Sequence, residues 1–200
     1  MRRRYLFVFL VALVLVVLDQ WTKLLAVDGL TPGFRSESPA SFLEKVGRFY
    51  GEVEHPCLSA ARTDCPERFF LGRFWSFEYH ENPGAAWSFL ARADAKVRVP
   101  FFVTVSAVAI VAILLYLRQA SSKQRRLLVG LTLVLGGAIG NFIDRARMGY
   151  VIDFIVWYIG SYRWPTFNVA DSAISTGVAL LILDSLLEKK PRGEAEPRSA

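Results

Sequence analysis

The chain has 200 residues, 53% of them hydrophobic, with a formal net charge of +6 and a positive mean hydropathy of +0.32. That apolar content exceeds the roughly 45–50% of an ordinary soluble domain. The charge does not point to nucleic acid, because the basic residues flank apolar blocks instead of forming a face of their own.

Arg2, Arg3 and Arg4 precede the first apolar block, Tyr5–Leu18. This block is short for a span, which needs about 20 residues, and a basic start with a short apolar core also fits a signal peptide. Helix-compatible residues continue through Asp19-Gln20-Trp21-Thr22-Lys23 to Val27, with no small-x-small cleavage site, so a retained helix is expected. The segment 28–96 follows, with eight Lys/Arg and ten Asp/Glu. Within it, residues 69–79 are rich in aromatic strand formers and Asn82-Pro83-Gly84 is a turn signal. Together they suggest a small sheet lying on the membrane.

A second span is expected over Val97–Leu117, with Pro100 in its first turn, where a missing N–H costs little. Arg118, Lys123, Arg125 and Arg126 separate it from a third span, Leu127–Phe142, whose Gly130, Gly136, Gly137 and Gly140 allow close helix approach. The segment 143–167 holds Trp157, Tyr158, Tyr162 and Trp164, which suit an interfacial belt or could brace a substrate. The fourth span is expected over Asn168–Leu187, followed by a charged tail, 189–200, that reads as disordered. Excess Lys/Arg in short flanks marks the cytoplasmic side. Both termini and residues 118–126 are therefore expected in the cytoplasm, with 28–96 and 143–167 outside. The expected fold class is a mainly α membrane protein with four transmembrane helices and a small extracytoplasmic β-sheet or cradle. A single membrane-embedded domain is expected over 1–188, with an outer insertion at about 34–73.

Charged residues in a span cost about 2.5–3.5 kcal/mol each on insertion scales, so those present call for a reason. Asp19 and Lys23, spaced i, i+4, suit a helical ion pair. Asp144 and Arg145, after Asn141, could end the third helix at the interface. Asn168 suits a helix cap and Asp171 the positive end of the same helix. Asp153, inside Val-Ile-Asp-Phe-Ile-Val-Trp, needs a partner or a proton. All of these fall toward the outer face. Asp184, near the opposite end of the fourth span, can reach water. Read one by one the residues are ambiguous; gathered in one layer they read as a polar site.

Four ordered blocks resemble the lipoprotein signal peptidase (signal peptidase II) family. They are Asp19-Gln20-Trp21-Thr22-Lys23; Asn82-Pro83-Gly84-Ala85-Ala86-Trp87-Ser88; Gly136–Arg145; and Val151-Ile152-Asp153-Phe154 with Phe167-Asn168-Val169-Ala170-Asp171-Ser172. The resemblance implies a bacterial inner-membrane aspartic peptidase. Its substrate is a prolipoprotein, cut just before a cysteine carrying a diacylglyceryl group. It implies Asp153 and Asp171 as the catalytic pair, no cofactor or metal, and no partner beyond substrate and membrane lipids, in a monomer. Asp19, Lys23, Asn82, Gly84, Asn141, Asp144, Arg145 and Asn168 fall at positions that support the site or hold substrate. Trp87 stands where phenylalanine is common, and the segment between Gly33 and Phe74 is longer than the family's pattern.

Two close carboxylates sharing one proton suit amide hydrolysis: one activates water while the other hydrogen-bonds the carbonyl. Other mechanisms lack parts. His55 and His80 form no HExxH pattern, no GxSxG elbow is present, and Ser88 with Lys96 gives only a weak suggestion of a serine–lysine dyad. Cys57 and Cys65, eight apart in the outer insert, fit a disulfide, zinc with His55 and His80, or free thiols. Rival readings are a proton-coupled carrier and a membrane-assembly protein whose polar layer serves packing.

Overall fold

A computed structural model describes residues 2–32, 34, 41–51, 57, 65, 67–84, 90, 92–121 and 123–187. The expectations for His55, Trp87, Ser88 and the tail fall outside these residues.

The elements in chain order are α1 (Arg2–Leu30), α2 (Phe42–Gly51), β1 (Arg68–Leu71), β2 (Trp75–Asn82), α3 (Ala95–Gln119), α4 (Arg125–Met148), β3 (Val151–Ile159), β4 (Tyr162–Arg163) and α5 (Val169–Leu187). Helices α1, α3, α4 and α5 are long and apolar enough to cross a membrane. The protein is thus a mainly helical, multi-pass membrane protein carrying a small sheet. Helix α4 is the central element, packed against each of the other three. The outward faces of the others stay apolar, with Leu13, Val108 and Ile182 among the exposed residues, as surfaces meeting hydrocarbon must be.

Close packing around α4 follows from its glycines. A Cβ on Gly137 would lie 2.7 Å from Ile174 Cγ1 of α5, and one on Gly136 2.9 Å from Leu15 Cβ of α1. Small residues of this kind are how helices associate in lipid, where apolar surface alone provides no drive.

Helix α4 runs six residues beyond the expected end at Phe142. Asp144 and Arg145 therefore lie inside its last turns and do not terminate it. The terminator is Gly149, left-handed at φ 78, whose N–H bonds to the Arg145 carbonyl. The helix continues because Asp144 is fully buried and paired. Helix α1 likewise continues to Leu30.

The four strands form one antiparallel sheet in the order β1-β2-β3-β4. Residues 69–79 are not a single strand but a hairpin that turns at Gly72. Asn82-Pro83-Gly84 ends β2, where the Gly84 N–H donates to the Asn82 side chain as in an Asx-turn. The partner strand β3 comes from the 143–167 segment, an apolar β-branched run between Gly149 and Gly160 whose strand character was not anticipated. Leu24, Val27 and Leu30 at the end of α1 pack with Ile152, Phe154, Tyr79 and Phe49 to form the core joining sheet to bundle.

Helix α2 falls in the outer insertion and was also unanticipated. Ser41 and Glu44 supply the start signal: the Glu44 N–H donates to Ser41 Oγ at 3.3 Å. Phe49 turns into the core, while Phe42 and Leu43 are exposed. Cys57 and Cys65 are joined by a disulfide with Cα atoms 5.9 Å apart.

Gly137→Ala should overpack the α4–α5 contact and destabilise the fold by about 1–3 kcal/mol. Thermal unfolding of the detergent-purified protein checks this; an unchanged midpoint would contradict the packing described.

Candidate active site

The site begins with Lys23. Its ammonium is fully buried and lies 2.7 Å from Asp19 Oδ2 and 2.8 Å from Asp144 Oδ2. The i, i+4 pair expected from the sequence is present, but the second carboxylate comes from α4. Two carboxylates against one ammonium leave an excess negative charge, and local donors spread it. Gln20 Nε2 donates to Asp144 Oδ1 at 2.9 Å and contacts Asp19 Oδ2 at 3.3 Å.

Two backbone N–H groups complete the cluster. The Ile152 N–H donates to Asp144 Oδ2 at 3.2 Å, and the Ala170 N–H donates to Asp19 Oδ1 at 3.0 Å. Each donor sits one residue before a candidate catalytic aspartate. The Lys23 cluster therefore holds the chain at both positions at once. Gly140 is required beside it, since a Cβ there would lie 2.6 Å from Asp19 Oδ2.

Three asparagines grip the two aspartates. Asn82 Nδ2 donates to Asp153 Oδ2 at 2.9 Å, and Asn168 Nδ2 to Asp153 Oδ1 at 2.7 Å. Asn141 Nδ2 donates to Asp171 Oδ1 at 2.8 Å, while Asn141 Oδ1 accepts from Lys23 Nζ at 3.2 Å. Asn168 caps α5: the Asp171 N–H donates to its Oδ1 at 2.9 Å, and its own N–H reaches Asp171 Oδ2 at 3.3 Å. This reciprocal pairing is a capping box built from Asn and Asp. Both local expectations for Asn168 and Asp171 hold, and the same atoms serve the site.

Strand pairing brings Asp153 to α5. Phe167 pairs with Ile155 through N–H···O bonds in both directions, at 3.1 and 2.9 Å. This bridge sets Asn168 beside Asp153. Asp153 is 1% exposed. Burial first, and the nearby Asp171 carboxylate second, push its carboxyl above the ordinary range.

Asp171, Asn82, Asn141 and Arg145 line a cavity of about 470 Å³ whose helical walls include Val105, Ala138 and Ile174. Arg145 donates to the Gly84 carbonyl at 3.1 Å and lies over the Phe102 ring, so it fastens the end of β2 to α4.

A family model for signal peptidase (SPase) II matches residues 11–187. The chain belongs to the signal peptidase II family. A lipoprotein signal peptidase of Anaeromyxobacter sp. (strain Fw109-5) is 46% identical over 173 residues, covering 84% of this chain and 79% of that protein. One of Geobacter metallireducens is 48% identical over 116 residues, covering 58% of this chain and 70% of its own length. A bacterial membrane enzyme solved by the in meso method at 2.3 Å superposes with a TM-score of 0.68 at 26% identity, covering 95% of this chain and 94% of that one. Membership makes the protein a peptidase.

In this signal peptidase II chain all ten candidate site residues converge: Asp19, Lys23, Asn82, Gly84, Asn141, Asp144, Arg145, Asp153, Asn168 and Asp171. Asp184 stands apart, paired with Arg126 at 2.9 Å. Lys96 lies in the first turn of α3, its N–H on the Asp94 cap, while Ser88 falls outside the described residues. Sequence reading missed Gln20, Tyr50 and Arg147. Gln20 stood in a quoted motif, and its i, i−1 neighbour to Asp19 was the available signal. Tyr50 Oη donates to Gln20 Oε1 at 3.3 Å, and the Arg147 guanidinium lies 4.4 Å from the Phe49 ring centroid; no spacing in the sequence pointed to either.

Lys23→Met should leave Asp19 and Asp144 facing each other without their cation and cost about 3–5 kcal/mol. Unfolding of the purified variant reads this; native-like stability would show that the cluster does not hold the bundle.

Proposed function

We propose that this protein removes signal peptides from bacterial prolipoproteins, hydrolysing the peptide bond before a diacylglyceryl-modified cysteine with Asp153, Asp171 and a water molecule. One observation carries the proposal. Two carboxylates from different elements are gripped by asparagine amides, and one of them, Asp171, lines a cavity whose helical walls include Val105, Ala138 and Ile174.

Each aspartate is held by amide donors that fix its orientation without supplying a full positive charge. A pair held this way can keep one shared proton, because two adjacent carboxylates resist ionising together. The ionised member takes a proton from water. Its partner hydrogen-bonds the scissile carbonyl, and a neutral gem-diol follows without an acyl-enzyme. The pair titrates as a unit. The raised Asp153 carboxyl supports retention of the proton at neutral pH.

The membrane orients the substrate. Basic flanks put both termini in the cytoplasm and hence the sheet and dyad at the outer face of the inner membrane, where the lipid anchor would hold the scissile bond at headgroup level. The protein acts as a monomer with no cofactor. A proton carrier would need carboxylates through the membrane's depth. Among the described residues they gather at the sheet end, apart from Asp184 beside Arg126.

Cleavage of a diacylglyceryl-modified prolipoprotein by the purified protein tests the reading. Asp153→Asn and Asp171→Asn should each lower kcat by about 10³-fold or more while the protein still inserts; full activity in either would remove it from the dyad.

The pH dependence has a defined sign. With Asp153 raised, the folded protein keeps a proton that an unfolded chain releases. Activity should fall on the acid side, when both carboxyls are protonated. It should fall again as pH rises through a limb lying above the ordinary carboxylate range. An alkaline limb within that range would argue against a shared proton.

A further inference from the structure

A second cavity, of about 900 Å³, adjoins the catalytic one. It lies between β2, the first turns of α3, the end of α4 and the disulfide. Neighbouring residues of the chain line the two cavities. Asn82 lines the catalytic cavity and Pro83 the second; Val151 and Tyr150 divide in the same way, as do Trp164 and Arg163. Helix α3 runs along both. Val99 faces the second cavity and Val105 the catalytic one, about 9 Å deeper into the bundle at 1.5 Å per residue.

The walls differ in chemistry. Beyond the polar site itself, the helices around the catalytic cavity present Val105, Ala109, Ala138 and Ile174, with Ser106 and Ser175 between them. The second cavity presents Glu78, Glu81, Arg98 and Arg163 with the phenols of Tyr79 and Tyr150. Glu78 and Arg163 form an ion pair across it. Pro83, Val99 and Met148 also line it, but an acyl chain placed there would strip water from the charged groups beside them. A peptide brings a donor and an acceptor per residue and can pair with both signs of charge. The volume is that of a ligand site.

The disulfide builds one side. Cys57 and Cys65 both line the cavity, and Cys57 also packs on the core beneath the sheet. The disulfide thus fixes a wall that the family motifs do not include.

We propose that this second cavity binds the polar stretch of polypeptide immediately following the lipid-modified cysteine, with the Cys57–Cys65 disulfide as part of its wall. The assignment rests on the dyad reading given under Proposed function. The apolar signal segment and the polar segment after it then meet walls of matching character on the two sides of the scissile bond. At about 3.3–3.6 Å per extended residue, the first several residues after the cysteine would reach it.

The full-length protein is assayed on two diacylglyceryl lipopeptides with the same signal segment. One ends at the modified cysteine, and the other continues for about ten polar residues, enough to cross the cavity. The longer peptide should show a KM about tenfold lower at similar kcat, the pattern of uniform binding. Ala95→Trp, placed at an exposed residue of the cavity rim, should abolish that difference while leaving the short peptide's kcat and KM unchanged. Cys57→Ser with Cys65→Ser should weaken it in the same direction while still cleaving both peptides. Equal KM values in the wild type, or an advantage that persists in Ala95→Trp, would overturn the proposal and leave the dyad reading standing. Cleavage of neither peptide by the wild type would bring down both.

Discussion

The arrangement depends on one buried ammonium. Lys23 sits between Asp19 of α1 and Asp144 of α4 with no exposure to solvent. In hydrocarbon or in a dry protein interior such a charge is sustained only by close, fully bonded partners. The cluster therefore fixes the relation of α1 to α4. Through the Ile152 and Ala170 N–H groups it also extends to β3 and α5. Breaking it would loosen the backbone next to both Asp153 and Asp171.

Local structure and site chemistry share atoms here. The box that starts α5 uses Asn168 and Asp171, and Asn168 also holds Asp153. The αL residue that ends α4, Gly149, lets the chain turn directly into β3, which carries Asp153. Gly140 and Gly137 let α4 meet Asp19 and α5 without a side chain between them. Substitutions that would look like ordinary helix or turn changes thus fall on the geometry around Asp153 and Asp171.

Helix α2 joins the segment between α1 and β1 to this centre. Tyr50 reaches Gln20, which bonds Asp144 and contacts Asp19, while Arg147 lies over the rings of Phe49 and Tyr50. A guanidinium over aromatic faces is held mainly by the ring quadrupoles. Lys45 adds a tether to Asp28 at the end of α1. Helix α2 and its neighbours are therefore coupled to the buried cluster by polar contacts as well as by the core under the sheet.

The sequence by itself determined the four spans, because long apolar helical blocks with charged flanks have few other uses. It also located the polar layer, since Asp19, Asp144, Asp153 and Asp171 are too costly in apolar surroundings to be incidental. The choice of Asp153 and Asp171 within that layer came from resemblance, because Asp19 and Asp144 read the same way by composition. Tertiary structure decided the rest. The end of α4 moved to Met148 because Asp144 found Lys23 from another helix, a partner more than a hundred residues away that no local pattern encodes. Neither the strand β3 nor its pairing with β2 was read from the sequence, since an apolar run beside spans looks alike in helix and strand and register is set by contacts across the sheet. Helix α2 and the disulfide-lined cavity depend on packing against α1 and β2. Local signals fixed what each segment could become, and long-range pairing of buried charges fixed where each one stopped and which side chains met.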